Sequence, residues 1–173
     1  MVRRQILFPE FFARPTLKVA RDILGKFLVR EIGGREMAAM ITEVEAYAGP
    51  QDLASHASRG KTPRTEVMFG KAGNWYVYLI YGMHHCLNVV TEKEGYPAAI
   101  LVRGVEGVYG PGRVCKRFKI NLLQNKKPSA KKTKLWVEDR RIKITPRDIS
   151  RGPRIGVDYA GKWKDKKWRF YLA

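Results

Sequence analysis

The sequence predicts an α+β fold with a mostly antiparallel sheet. Two observations predict it: β-prone runs follow one another through short glycine turns, and helical periodicity is confined to residues 15–24 and 113–120. The 173 residues are one domain's worth of chain, 1–173 without an internal repeat, and long enough to bury a core. With 45% hydrophobic and 29% charged residues, a wholly disordered chain is excluded.

Residues 8–13 are aromatic-rich and fit an arm or a short helix. Pro15 suits a first helical turn, Leu17, Ala20, Ile23 and Leu24 recur at helical spacing, and Gly25 fits a stop, so 15–24 reads as a helix. Residues 26–32 and 36–46 read as strands joined by a turn at Gly33-Gly34. Residues 47–66 lack periodicity, and a loop of this length between strong strands points to function. Residues 75–81 form the most β-prone run, 84–91 the next strand, and Gly82-Met83 a tight hairpin with Tyr81 near its tip. A polar turn at 92–95 leads to a strand at 98–103. Residues 113–120 read as a basic helix, 123–134 as a mobile lysine-rich loop, and 135–145 as a charged hairpin. Residues 155–157 and 168–172 read as short closing strands.

Charge narrows the function class. Lys and Arg number 34 against 16 Asp and Glu, a net +18, with a pI near 10.2. Residues 1–112 hold 14 basic and 11 acidic residues, whereas 113–173 hold 20 and 5, so the C-terminal third alone carries +15. A field this lopsided suits a polyanion, nucleic acid before an anionic membrane surface, since no basic amphipathic helix stands out. No apolar run approaches the ~18 residues of a membrane span. The opening residues are too quickly polar for a secretory signal, and two cysteines, Cys86 and Cys115, make no disulfide framework; both point to a reducing cytoplasm.

Few constellations carry chemistry. His84, His85 and Cys86 are adjacent, and neighbours on a strand point to opposite faces, so they do not readily share a metal ion. Nucleotide-binding glycine loops and the zinc-deaminase pattern are absent. Glu43, Glu45 and Tyr47 share one face of a strand flanked by apolar residues. The choice there is between a solvated face with ordinary ion pairs and a carboxylate that activates water. Tyr76, Tyr78 and Ile80 share a face of the next strand, either as core or as a stacking platform for bases.

The segments ITEVEAYAGPQDLASHASRGKTPR, MFGKAGNWYVYLIYGMHHCLNVV, AAILVRGVEG, GPGRVCKRFKI and PRIGVDYAG…WRFYL occur in this order. Together they closely resemble the alkyladenine family of DNA glycosylases, also called 3-methyladenine or methylpurine glycosylases. The resemblance spans residues 8–171, is strongest over 41–103 and is poor over 122–154. It implies a curved sheet, a DNA-inserting hairpin, and a compact form without the long N-terminal extension of larger relatives. The implied activity is monofunctional: the enzyme flips a damaged purine from double-stranded DNA and hydrolyses its N-glycosidic bond with water, as a monomer in the cytoplasm or nucleoid, without metal or cofactor. Base flipping by glycosylases is a general property of the class.

By resemblance, Glu45 is the water-activating glutamate and Arg103 the arginine near the water and the backbone phosphate. Tyr47 stacks on one face of the base, and His56 and Tyr78 close the other. Asn88 crowds a purine 2-amino group, and Tyr81 wedges into the duplex. Glu43 matches a position without a direct catalytic role, and the His84-His85 pair falls where members of the family vary. A non-catalytic nucleic-acid-binding protein on the same fold is the alternative that the residues leave open.

Overall fold

The computed structural model describes residues 3–173. Its strands are β1 (Gln5–Ile6), β2 (Phe27–Ile32), β3 (Arg35–Ala48), β4 (Trp75–Ile80), β5 (His84–Val90), β6 (Ala98–Val105), β7 (Val108–Tyr109), β8 (Leu135–Asp139), β9 (Ile149–Gly152) and β10 (Arg169–Leu172). They form one 10-stranded sheet with the path β1-β8-β2-β3-β6-β5-β4. Each pairing is antiparallel, as the hairpin-rich sequence predicts. The α-helices are α1 (Pro9–Phe12), α2 (Thr16–Asp22) and α3 (Pro111–Arg117). No helix among the described residues is long and apolar enough to cross a membrane.

The long strand β3 organises the sheet. Its residues 35–40 pair with β2 and its residues 41–48 with β6. Residues 43–45 also pair with β10, on the edge that β2 has left. Strand periodicity then sorts the side chains. Val44, Ala46, Val77, Leu87, Val89, Ile100 and Val102 are buried on one face in the main core, with Val19 and Ala20 of α2, Ile23 at its C-terminal end, Val114 of α3 and Phe118 at its C-terminal end. The intervening residues Glu45, Tyr76, Tyr78, Cys86, Asn88, Leu101 and Arg103 face a cavity on the other side.

Helix α2 is capped from a distance. Pro15 precedes it and has no side-chain acceptor, so Glu92 supplies one: its Oε1 accepts from the Thr16 amide at 2.7 Å and the Thr16 hydroxyl at 2.9 Å. After the helix, Gly25 adopts φ +82°, and a Cβ there would lie 2.4 Å from Ile144 Cγ1, so glycine is required twice over.

The structure corrects three expectations. Residues 135–145 are not a hairpin. Strand β8 pairs with β1 and β2, after which Arg140 folds back onto Glu138 and the Phe27 ring and Arg141 takes φ +61°, which turns the chain away. The lysine-rich loop is tied down along the outer edge of β4: Trp75 exchanges backbone hydrogen bonds with Lys126 and Lys127, and Asn125 Oδ1 accepts from the Val77 amide. It thereby covers an edge that would otherwise template aggregation. Residues 155–157 form no strand but a bend with Gly156 at φ +77°, which lines the cavity.

A buried ion pair fastens that bend to the loop after β3. Arg154 Nη1 donates to Asp52 Oδ2 at 2.6 Å and Nη2 to Asp52 Oδ1 at 2.9 Å, and both side chains are fully buried. Asp52 also accepts from the amides of Ala48 and Ala54, each at 3.1 Å. Arg154 reaches the carbonyls of Ala46 at 2.9 Å and Trp163 at 3.2 Å.

Two outcomes are expected in urea denaturation. Leu87→Ala removes a fully buried side chain from the core face and should cost about 2–5 kcal/mol; a loss below about 1 kcal/mol would place Leu87 outside the packed core. Asp52→Asn leaves the Arg154 charge buried without its counter-ion and should cost about 3–5 kcal/mol. An unchanged midpoint would show that the pair does not hold the loop.

Candidate active site

The residues singled out in the sequence come from separate elements: Glu45 and Tyr47 from β3, His56 from the loop that follows, Tyr78 and Tyr81 from β4 and its turn, Asn88 from β5 and Arg103 from β6. All of them line one cavity of ≈ 270 Å³. Their convergence follows from the sheet order, because β3, β6, β5 and β4 are successive neighbours and each contributes its alternate side chains.

Glu45 lies at the closed end, fully buried. Its Oε2 accepts from the Tyr47 hydroxyl at 2.7 Å and its Oε1 from the Ile155 amide at 2.8 Å. Arg103 Nε stands 3.5 Å from Oε1. Burial pushes the Glu45 carboxyl above the ordinary carboxylate range, and Arg103, the Tyr47 hydroxyl, the Ile155 amide and Arg154 offset part of that rise. The result is a desolvated carboxylate that is oriented on both oxygens. Tyr47 is raised well above an ordinary phenol by burial and by the adjacent Glu45, so its hydroxyl stays a proton donor. The Arg154 guanidinium covers the Tyr47 ring at 4.9 Å.

Opposite stands an aromatic wall. The His56 and Tyr78 rings meet edge to face at 4.6 Å, and His56 Nδ1 lies 3.2 Å from the Tyr76 hydroxyl. Burial, with Arg64 and Arg59 nearby, lowers His56 to about 4, so the ring is neutral at physiological pH. Arg64 covers Tyr78 at 5.2 Å from the outside. Asn88 is buried and donates through Nδ2 to the Tyr76 carbonyl at 3.1 Å. Asn88 thus bonds to the backbone and lines the cavity at once.

Tyr81 stands at the mouth. It is 91% exposed. Its φ is +52° and that of Gly82 is +63°, two successive left-handed residues closing the β4–β5 hairpin. A tyrosine held there costs of order 1 kcal/mol.

Sequence reasoning missed Arg154, Asp52 and the Ile155 amide. Residues 155–157 look like a β-branched strand, and nothing local pairs Asp52 with an arginine 102 positions away. Each of the two charged residues reads locally as an ordinary surface charge, so the chain carries no local signal for the pair. His84 and His85 do not line the cavity; they border a groove beside α3 with Arg113, Lys116 and Lys119. Among the described residues, no group of three or more His, Cys, Asp or Glu side chains is disposed to hold a metal ion.

Comparison with known proteins shows which family the chain belongs to. The family model described as methylpurine-DNA glycosylase matches residues 10–173. Relatives named "Putative 3-methyladenine DNA glycosylase" cover nearly the whole chain. That of Myxococcus xanthus is 49% identical over 171 residues, 94% of this chain and 87% of its own. Those of Methanocella arvoryzae and Legionella pneumophila (strain Paris) are 45% and 44% identical, covering 96% and 98% of this chain and 92% and 94% of their own. A cavity that joins a buried carboxylate to an aromatic wall, on a chain matched from end to end by these enzymes, belongs to a member of the methylpurine-DNA glycosylase family.

Proposed function

We propose that the whole chain works as one monofunctional glycosylase domain, which flips alkylated purines, 3-methyladenine and 7-methylguanine foremost, out of duplex DNA. It then hydrolyses the N-glycosidic bond with water activated by Glu45. The observation that carries this reading is the fully buried Glu45 carboxylate, oriented on both oxygens, on the wall of an aromatic cavity.

In this mechanism Tyr81 enters the stack as the nucleotide leaves, replacing part of the lost stacking, roughly a few kcal/mol. The base slides between Tyr47 and the wall of His56 and Tyr78. A purine methylated at N3 or N7 is cationic and stacks well on electron-rich rings; the neutral His56 adds no repulsion. As the bond to C1′ lengthens, its electron pair passes to the purine, whose positive charge is cancelled, and the sugar gains oxocarbenium character. The Glu45 carboxylate stabilises that charge and takes a proton from water as its oxygen bonds to C1′. Arg103 holds the water and a backbone phosphate. The products are the free base and an abasic site.

Among the described residues Glu45 is the only acid on the cavity lining. A neutral lesion such as hypoxanthine, which must be protonated to leave, is therefore the slower substrate. Asn88 crowds the 2-amino group that normal guanine and 7-methylguanine share; 7-methylguanine is released despite it because its cationic purine is the far better leaving group. On this reading the chain works as a monomer on chromosomal DNA in the cytoplasm.

Glu45→Gln should abolish base release from methylated duplex while binding to abasic DNA persists, because the amide keeps the shape but takes no proton. The parent should lose activity as pH falls through the raised Glu45 value, so the acid limb of its profile should lie above the ordinary carboxylate range. Release by the variant at the parent's rate would remove Glu45 from the mechanism.

The +15 carried by residues 113–173 should make affinity for duplex fall steeply with salt, the slope of log K against log salt steepening by about −0.9 for each phosphate neutralised. A flat titration would show that the basic third is not the DNA surface.

A further inference from the structure

Glu43 lies outside the cavity lining yet shares its arginine with Glu45. Arg103 Nε is 3.5 Å from Glu43 Oε1 and 3.5 Å from Glu45 Oε1. That nitrogen is buried and hydrogen-bonds to neither. A guanidinium suspended between two carboxylates gives each only part of its field.

Three features hold Glu43 in this place. The register of β3 on β6 slips on both sides of it, an irregularity of the kind that re-aims a side chain. Across the ladder stands Gly104, where a Cβ would lie a tight 3.2 Å from Glu43 Cβ, so glycine lets the Glu43 side chain sit there without displacement. From the opposite edge, Arg169 Nη1 of β10 donates to Glu43 Oε1 at 3.0 Å.

We infer that Glu43 is a positioning residue: held by Arg169, it shares Arg103 with Glu45 and keeps the guanidinium from closing on the carboxylate that must take the water's proton. The inference rests on the role proposed for Glu45. A closed, charge-assisted pair would stabilise the Glu45 anion and weaken it as a base. The groups that face Glu45 are Tyr47 from its own strand, Arg103 from β6, Tyr78 and Cys86 from β4 and β5, and the Ile155 amide, Arg154 and Tyr159 from the C-terminal loop. Arg103 alone is also in ionic contact with Glu43.

The test is the pH profile of single-turnover base release from methylated duplex, with binding to abasic duplex measured beside it. In Glu43→Gln, Arg103 closes on Glu45. The acid limb should move to lower pH by about half to one unit, and the plateau should fall about 3–10-fold. In Arg169→Gln, Glu43 is released to Arg103 and draws it off Glu45, so the limb should move to higher pH. Glu43→Asp should return the limb toward the parent's, and abasic binding should stay within about twofold throughout.

Opposite movements from two neighbouring substitutions are not what a merely structural role gives. A limb that stays put in both variants, or moves the same way in both, overturns the inference. If Glu43→Gln does not fold, Arg169→Gln decides alone, and an unmoved limb there overturns it. Glu45→Gln separates the two levels. If it still releases base, the base role falls and this inference with it; if it is inactive while the limbs stay put, only this inference falls.

Discussion

The cavity depends on the buried pair of Asp52 and Arg154. Neither residue lies on the cavity lining, yet the pair sets the position of what does. Asp52 pins the loop after β3 through the amides of Ala48 and Ala54. Arg154 carries the bend whose Ile155 amide reaches Glu45, and its guanidinium lies between the Tyr47 and Trp168 rings at 4.9 and 5.0 Å. Taking two charges out of water costs several kcal/mol per ion, which mutual attraction recovers only with good geometry, so such a pair contributes little net stability. What it supplies is direction. A packed leucine in place of Arg154 would tolerate a small slide of the loop; two fixed donors on one carboxylate, with two more bonds to carbonyls, do not.

Two buried carboxylates show how burial and partners sort structure from chemistry. Glu138 on β8 is as inaccessible to solvent as Glu45, but less protein surrounds it. Desolvation raises it, but hydrogen bonds from Arg4, Trp136 and Arg140 outweigh that and hold it below the ordinary range. Its charge is spent on holding the N-terminal segment to the sheet. Glu45 has one hydroxyl, one amide and an arginine that hydrogen-bonds to neither of two carboxylates, and its balance falls the other way. Deeper burial with fewer donors leaves a carboxylate that still wants a proton, and it lines the cavity.

Much of this was legible in the chain. Strands β2 to β6 carry their own period-two pattern and their own glycine turns, so local sequence specifies them. Strands β1, β7 and β9 span two to four residues, too short for any periodicity, and exist only because a neighbouring strand offers an edge. Residues 140–145 have the composition of a strand but no partner to pair with. At the site, the face shared by Glu45 and Tyr47 followed from alternation, whereas their roles followed from the family's motifs. The pairing of Asp52 with Arg154 was hidden because each looks like an ordinary surface charge until the fold removes both from water.

Where local rules are broken, the breaks cluster around one cavity. A tyrosine occupies a left-handed turn, a strand slips its register at a glutamate, and a carboxylate and an amide sit on faces that the alternation pattern would fill with aliphatic side chains. Each break has its support close by: Gly82 beside Tyr81, Gly104 across from Glu43, Arg103 between two acids, the Tyr76 carbonyl on Asn88. The buried core on the opposite face of the same strands is apolar, Val, Leu, Ile and Ala side chains with Trp75, packed against α2 and the segment around α3. A single sheet thus separates two demands. One face obeys the packing rules and supplies rigidity, which allows the other to hold strained and desolvated groups in fixed positions.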